Sequence, residues 1–521
     1  MIQLIQTTIL VTLALAVILN CLPKKSFGKY ALWAGYIAVF FVAIDILSGN
    51  FRWQMIIAYS LALLMLVLPR FRKSNDSNTK WWSKLLFTGY VMLSIMILAV
   101  AIILPSAFVM FELPTPSGKH AVGVKNIHLV DKERKETLTD DENEVRQLMV
   151  RAWYPAIIDN NSNPEPFVKD IEPVYEIFKR SLPIPKFILS HLKKIPSHSY
   201  LDALELETTE KFPVLVFNHG LSFYASQNKL LMEELASNGY VVLSINHTYD
   251  ASWVKFPNGE VKTFKSEGQF KAPTQEEIDE WEVKAKSNAE TMLNGTYEEY
   301  YSKTKDDIET NLDINSKVQV WTDDISFVLD QLQNGERQLI EMSRMADLNK
   351  IGVFGMSLGG AAAGKFCLED PRCKAVLNMD GTQFGQGAIN YQFEKPFMML
   401  NGDRRLDYSR ALGTEFVQGP LPKYEMNDFL LHQSKNITYN LVVDKSVHGS
   451  FSDFLLMTMD FGSWTGLLGK VDPWVMKDVL DDYSLAFFNK HLKSIEEPLL
   501  NGISKNRPEV IKFEVNNGLV K

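Results

Sequence analysis

The residues of this chain best suited to chemistry begin with a serine held between glycines, Gly355-Met356-Ser357-Leu358-Gly359. A serine hydroxyl is a weak nucleophile until a base takes its proton, and acyl transfer then needs donors for the developing oxyanion. G-x-S-x-G alone is a loose pattern. Its setting narrows it: an apolar run, KIGVFGM, leads into the motif and a small-residue helical run, GGAAAGKFCLED, leads out. That is the strand–turn–helix elbow in which a strained serine points its hydroxyl out above a sheet.

The base is expected after the serine in chain order. His491 falls in an amphipathic C-terminal helix and reads as a surface residue, while His432 precedes a strand. His448, in VVDKSVHGSFSDF, follows the last strand in a Ser/Gly loop from which it can lean over the sheet edge, so it is the candidate base. Two aspartates end strands within reach, Asp380 in VLNMDG and Asp403 in MMLNGDRR. The neighbouring Arg404 and Arg405 suggest a salt-bridged role for Asp403, which favours Asp380 as the acid and keeps Asp403 as the alternative. The oxyanion donors are expected to be the backbone N–H of Leu358 and that of Leu221 in the turn HGLS, with His219 packing that turn. No His/Cys/Asp cluster has ligand spacing, so neither a metal nor a cofactor is expected.

These residues need a scaffold that brings positions 221, 357, 380 and 448 to one edge. From Pro114 onward, β-rich runs alternate with helical ones: Ala121–Val130, Arg146–Pro155, Phe212–Gly220, Tyr240–His247, Lys350–Ser357, Lys374–Gly381, Pro396–Asp403 and Ile437–Asp444. The later runs are continuously apolar and bounded by Gly, Asn or Asp, as in strands buried on both faces. Helical stretches such as QNKLLMEELASNG, with glycine at the stop, separate most of them. The expected class is α/β, a mainly parallel sheet with helices on both faces. Residues 259–312 read as a charged, solvated helical insertion rather than a lid. Phe178–Ile195 mixes basic and bulky apolar residues; it suits either contact with lipid headgroups or a core-packed hairpin.

The first 111 residues differ in kind. They hold nine Lys/Arg against Asp45 and Asp76, a balance of +7, so the formal −8 of the chain leaves −15 for residues 112–521. An acidic body of that size speaks against nucleic acid. Four apolar stretches, Ile2–Leu22, Tyr30–Leu47, Trp53–Leu68 and Leu85–Phe111, are expected to span a membrane. Basic residues concentrate in Pro23–Lys29 and Pro69–Lys84, which places those loops in the cytoplasm and the body from Glu112 onward on the extracytoplasmic side of a multi-pass cell-membrane protein. Asp45, near its helix end, reads as an interfacial group. Cys367 and Cys373 either bridge in an oxidising compartment or remain two buried thiols.

The blocks PTPSGKHAVG, PVLVFNHGLSFYASQNKLLMEELASNGYVVLSINHTYDAS, KIGVFGMSLGGAAA, AVLNMDG, VHGSFSDF and YSLAFFNKHL resemble, in order from about Pro114 to Lys493, those of the plasma-type platelet-activating factor acetylhydrolase family. The resemblance implies an α/β-hydrolase fold and a Ca²⁺-independent serine phospholipase. It implies a triad of Ser357, Asp380 and His448, oxyanion donors Leu221 and Leu358, and esters with short or oxidised acyl chains as substrates. Leu358 stands where the family usually has an aromatic residue, and the segment between His247 and Gly352 is enlarged. A general carboxylesterase for small esters, or a non-catalytic membrane-anchored binding or sensory module, are the other readings; an intact nucleophile, base, acid and HGL turn weigh against the module.

Overall fold

The computed structural model describes residues 2–22, 25–67, 81–108, 110–159, 162–181, 185–265, 274–413, 421–457 and 468–518. The chain divides into two compact units, Met1–Leu113 with Ile184–Ile195, and Pro114–Pro183 with Pro196–Lys521.

The first unit is four helices, α1 (Ile2–Cys21), α2 (Lys25–Leu47), α3 (Ile56–Val67) and α4 (Trp81–Ala107). Three segments, Gln3–Cys21, Phe27–Leu47 and Thr88–Ser106, are long and apolar enough to cross a membrane. The span expected at Trp53–Leu68 opens with a 3₁₀ turn, Trp53–Met55, and continues as an α-helix over the described residues Ile56–Val67, while Leu68 lies outside them. Asp45, two residues before the end of α2, is fully buried among the helices. It accepts from Gln6 Nε2 at 3.2 Å and from the Tyr59 hydroxyl. Arg52 donates to Gln6 Oε1 at 2.6 Å and to the Phe108 carbonyl at 3.1 Å. Such bonding is what an ionisable group inside a helix bundle requires. The 3₁₀ segment Lys186–Lys194 belongs to this unit. The Trp53 indole N–H donates to the Ile188 carbonyl at 3.3 Å and the Phe187 ring stands edge-on to Trp53. That half of the basic–apolar patch therefore packs within the first unit.

The second unit is built on one 12-stranded sheet. Its principal strands are β1 (Ala121–Lys135), β2 (Val145–Ile157), β3 (Phe212–Asn218), β4 (Val241–Asn246), β5 (Ala346–Met356), β6 (Cys373–Met379), β7 (Phe397–Gly402), β8 (Thr438–Val443) and β9 (Val510–Asn516). In space they run β1-β2-β4-β3-β5-β6-β7-β8-β9. From β4 to β8 every neighbouring pair is parallel, while β1, β2 and β9 supply antiparallel edges. The expected class and all eight expected strands are present.

The pleat sorts alternate residues of β3 to opposite faces. Val214 and Val216 join Val353, Trp321 and Phe366 on one side. Leu215 and Phe217 join Phe354, Leu235 and Phe488 on the other. Each such burial contributes roughly 1.5–3 kcal/mol, so the register of the central strands is firmly held. The helices Leu312–Gln333 and Leu358–Glu369 cover the first face, Lys229–Ser237 and Pro473–Lys493 the second. The insertion forms two helices, Gln275–Asn294 and Tyr297–Thr310. A reciprocal Thr296–Glu299 capping box starts the second, and Tyr300 and Ile308 bury its inner side while most of the first stays exposed.

Candidate active site

In a parallel sheet of this kind ligands meet the carboxyl ends of the strands. β5 ends at Met356, and Ser357 follows with φ 56° and ψ −124°, a conformation an L-residue holds only under constraint. The constraints are visible. Ser357 N donates to the Met379 carbonyl at 2.9 Å, tying the elbow to the end of β6. The two motif glycines are obligatory: a Cβ on Gly359 would sit 2.1 Å from the Asn218 carbonyl oxygen, and one on Gly355 would sit 2.3 Å from the Gly359 carbonyl carbon. The close approach that they permit sets the helix start beside the end of β3, which leads into the HGLS turn.

The structure brings Ser357, His448 and Asp380 together. Ser357 Oγ lies 3.0 Å from His448 Nε2, and His448 Nδ1 lies 2.7 Å from Asp380 Oδ2. Asp380 follows β6 at φ 53°, a conformation that aspartate tolerates better than most residues. Its side chain is fully buried, whereas that of His448 is 47% exposed. Burial alone would raise the Asp380 carboxyl. Arg404, His448 and the Gly402 N–H outweigh it, so the group lies below the usual carboxylate range. Being ionised, Asp380 can only accept. His448 therefore carries its proton on Nδ1 and offers the Nε2 lone pair to the serine hydroxyl.

Asp403 does not reach the imidazole. Its carboxylate takes Arg405 Nε at 2.8 Å and Arg405 Nη2 at 2.7 Å, together with the Lys445 N–H at 3.0 Å. It therefore anchors the strand end from which the histidine loop departs. Of the two arginines expected beside Asp403, Arg404 serves Asp380 instead: its Nη2 donates to Asp380 Oδ1 at 2.8 Å, next to the Gly402 N–H at 2.7 Å. The triad-like carboxylate is thus held at both oxygens. The dipeptide Arg404-Arg405 signals a salt-bridged aspartate, but the sequence does not tell which arginine serves which acid.

The loop carrying His448 is pinned locally. Val447 N donates to Ser450 Oγ at 2.9 Å and that hydroxyl donates to the Leu468 carbonyl at 2.7 Å. Across the edge, Gly220 N donates to Gln227 Oε1 at 2.8 Å and Ser222 N to the Asp250 carbonyl at 2.8 Å, which fixes the turn on either side of Leu221. Among the described residues, nothing accepts from the backbone N–H of Leu221 or of Leu358. Leu358 is the first residue of its helix, whose opening N–H groups have no intrahelical partner. Two free donors in that setting can serve an oxyanion.

His219 is wholly buried and packs the turn: Nδ1 donates to the Gly220 carbonyl at 2.7 Å and Nε2 accepts from His247 N at 3.2 Å. Burial, with His247 beside it, holds its pKa well below the usual value. Behind it stands a group that the sequence reading missed. His247 Nδ1 is 2.9 Å from Asp324 Oδ2, and Arg146 Nη2 donates to the same oxygen at 2.6 Å. These partners lie 77 and 178 positions from Asp324, too far apart for any local pattern. His491 is not a free surface residue either; it is half-buried, 3.2 Å from the Tyr439 hydroxyl, and burial lowers it to about 4. His432 packs edge-on to Tyr297. Cys367 and Cys373 form a disulfide that joins the end of the Leu358–Glu369 helix to the start of β6. Among the described residues, no group of three or more His, Cys, Asp or Glu could hold a metal ion.

Residues 106–502 match the family described as platelet-activating factor acetylhydrolase, isoform II. Among curated proteins, the chain is 23% identical to the platelet-activating factor acetylhydrolase of Cavia porcellus, over 66% of this chain and 72% of that protein. It is 23% identical to the one from Gallus gallus, over 76% and 88%. A ferulic acid esterase from Streptomyces cinnamoneus superposes with a TM-score of 0.55 at 24% identity, over 78% of this chain and 99% of that one, a likeness of fold.

Proposed function

The chain belongs to the platelet-activating factor acetylhydrolase, isoform II, family of ester hydrolases, and we propose that it is a membrane-anchored serine esterase working through Ser357, His448 and Asp380. The observation that carries this is the unbroken path from Ser357 Oγ through His448 to a buried, ionised Asp380. His448 Nε2 takes the hydroxyl proton as Oγ attacks the ester carbonyl, and the Leu221 and Leu358 N–H groups receive the oxyanion. The imidazolium, stabilised by Asp380, then protonates the departing alcohol. Water activated by the same nitrogen releases the acid and restores Ser357. Half-exposure of the imidazole lets substrate reach it; full burial of the aspartate keeps water from competing for the Nδ1 proton.

The family suggests lipid esters with short or oxidised acyl chains, and three apolar helices suggest a membrane anchor. The disulfide Cys367–Cys373 and the basic loops of the first 111 residues support an extracytoplasmic catalytic unit. Hydrolysis of p-nitrophenyl acetate by the full chain and by Ser357→Ala tests the chemistry. The variant should lose more than about 10⁴-fold in kcat, and equal rates would end the proposal.

A further inference from the structure

His448 and Leu221 reach the sheet edge on segments far apart in sequence, and one ester must meet both. His448–Phe451 winds as a 3₁₀ turn, and Ser450 pins it to Leu468 in the same stretch of chain. The link to the HGLS turn comes instead from Asp453, five residues after the base.

The helix Lys229–Ser237 follows that turn, and its N-cap residue, Asn228, makes no side-chain cap to it. The opening N–H groups of a helix need acceptors from elsewhere. Asp453, 223 positions away, supplies one: Leu230 N donates to Asp453 Oδ2 at 3.1 Å. Asn228 sends its side chain the other way, and Nδ2 donates to the Phe451 carbonyl at 2.8 Å. Asp453 N donates in turn to the Gln227 carbonyl at 3.0 Å. Three hydrogen bonds thus clasp residues 227–230 to residues 451–453. Gln227 completes the path, because its Oε1 accepts from Gly220 N at 2.8 Å, one residue before Leu221. The Phe454 ring stands edge-on to Phe223, 5.2 Å away, and adds an apolar contact at the same junction. Gln227, Asn228 and Asp453 are all buried, so water does not compete for these bonds. Burial pushes the Asp453 carboxyl well up, Asp481 and Glu233 add to the rise, and the Leu230 and Lys229 N–H groups oppose it. The bond to Leu230 N needs an acceptor oxygen rather than a charge.

We infer that Asp453 is a positioning residue: through Leu230 N and the Gln227 carbonyl it holds the His448 loop against the helix that follows the HGLS turn, and so sets the base relative to the Leu221 N–H. The inference rests on the esterase reading above. Asp453 touches neither Ser357 nor His448 among the described hydrogen bonds, so it acts through the two segments that it joins. A displacement of about 1 Å between reacting groups costs about 10²-fold in rate, which is the scale of effect expected when the clasp opens.

The test uses the full chain in detergent micelles with p-nitrophenyl acetate. Expressing kcat per site titrated with a fluorophosphonate leaves unfolded molecules uncounted. In Asp453→Leu, kcat per titrated site should fall about 10²-fold while KM changes by less than about threefold. Asp453→Asn keeps an acceptor for Leu230 N and should stay within about threefold of the parent in kcat. A purely structural role would lower the melting temperature and the titrated fraction of Asp453→Leu but leave kcat per site at the parent value, and that result overturns the inference. So does an Asp453→Asn as impaired as Asp453→Leu, since the charge and not the bond would then matter. If Asp453→Leu does not fold, Asn228→Ala takes its place: it removes the bond to the Phe451 carbonyl alone and should lower kcat per site about tenfold. An unchanged kcat there overturns the inference equally. Activity retained by Ser357→Ala would sink the esterase reading itself, whereas an inactive Ser357→Ala beside a fully active Asp453→Leu would sink the clasp alone.

Discussion

Two aspartate–histidine pairs lie under the same sheet edge, and their likeness is close. Asp380 Oδ2 meets His448 Nδ1 at 2.7 Å, and Asp324 Oδ2 meets His247 Nδ1 at 2.9 Å. Each carboxylate is fully buried and each also binds arginine: Arg404 on Asp380, Arg146 and Arg134 on Asp324. Each is held below its usual range although burial pushes the other way. The pairs diverge at the far side of the ring. His448 is half-exposed and its Nε2 faces a strained serine hydroxyl. His247 is wholly buried, stacked 3.9 Å from Trp321, with Nε2 3.1 Å from Asn218 Oδ1. An aspartate–histidine contact is thus a general way of fixing an imidazole. What stands at the second nitrogen, and whether solvent reaches it, suits one pair to proton transfer and makes the other a strut beneath the HGLS turn.

Breaking each pair should give opposite signatures. His448→Ala should lower kcat on p-nitrophenyl acetate by more than about 10⁴-fold while leaving the melting temperature near that of the parent. His247→Ala should instead cost about 3 kcal/mol of stability, by emptying a packed aromatic site. Some activity should persist below its lowered melting point. Parallel kinetics and thermal melts decide the matter: a folded His247→Ala as inactive as His448→Ala would mean that the buried pair also takes part in the chemistry.

The acids sharpen the contrast. In the proposed triad Asp380→Asn removes the charge facing His448 Nδ1, and a loss of about 10⁴-fold in kcat is expected. Asp403→Asn breaks contacts to Arg405 and Lys445 N, not to the imidazole, and should cost less than about tenfold. Equal losses in the two variants would move the acid role away from Asp380. Arg404→Lys keeps a cation but loses the fork, so the expected loss lies between these. If Arg404 tempers the Asp380 charge, the acid limb of kcat/KM should move to higher pH in Arg404→Met, because the carboxylate then belongs to the imidazolium alone.

How much of this was legible follows from the range of the interactions. The elbow is a contiguous signal: strand, glycines, serine and small-residue helix lie between Ala346 and Glu369, and the sterics at Gly355 and Gly359 explain why that spelling is needed. The class and the strands themselves follow from continuous apolar runs bounded by Gly, Asn or Asp, but the order of the strands in the sheet was not legible. His448 could be chosen over His432 and His491 because it lies in a Ser/Gly loop directly after an apolar strand. Pairings across the fold were not legible. Arg404 and Arg405 are adjacent yet serve different aspartates, and Asp324 reaches His247 and Arg146 across 77 and 178 positions. The α3 segment shows the limit of composition: nothing in its apolar run announces the 3₁₀ turn at Trp53–Met55.

The smallest expected effect concerns Glu425, a buried carboxyl that feels the fields of Asp380 and Arg404. It is almost wholly buried, and Oε1 has no partner among the described residues. Burial raises it to about 8, against the attraction of Lys512 and Arg404 and with Asp428 and Asp380 adding to the rise. The folded protein therefore keeps this proton where the unfolded chain, with an ordinary carboxyl near about 4.3, has lost it. Stability that Glu425 supplies is complete below about pH 4 and is lost as the pH rises towards 8, with a slope of at most about 1.4 kcal/mol per pH unit. Glu425→Gln, which mimics the protonated group, should flatten that slope between pH 5 and 8 and raise the melting temperature at the alkaline end. Denaturant melts of the parent and the variant across that range measure the slope directly. Parallel stability curves would show that Glu425 is ionised in the fold, and that the charge facing Arg404 and Asp380 is larger by one than the arrangement above requires.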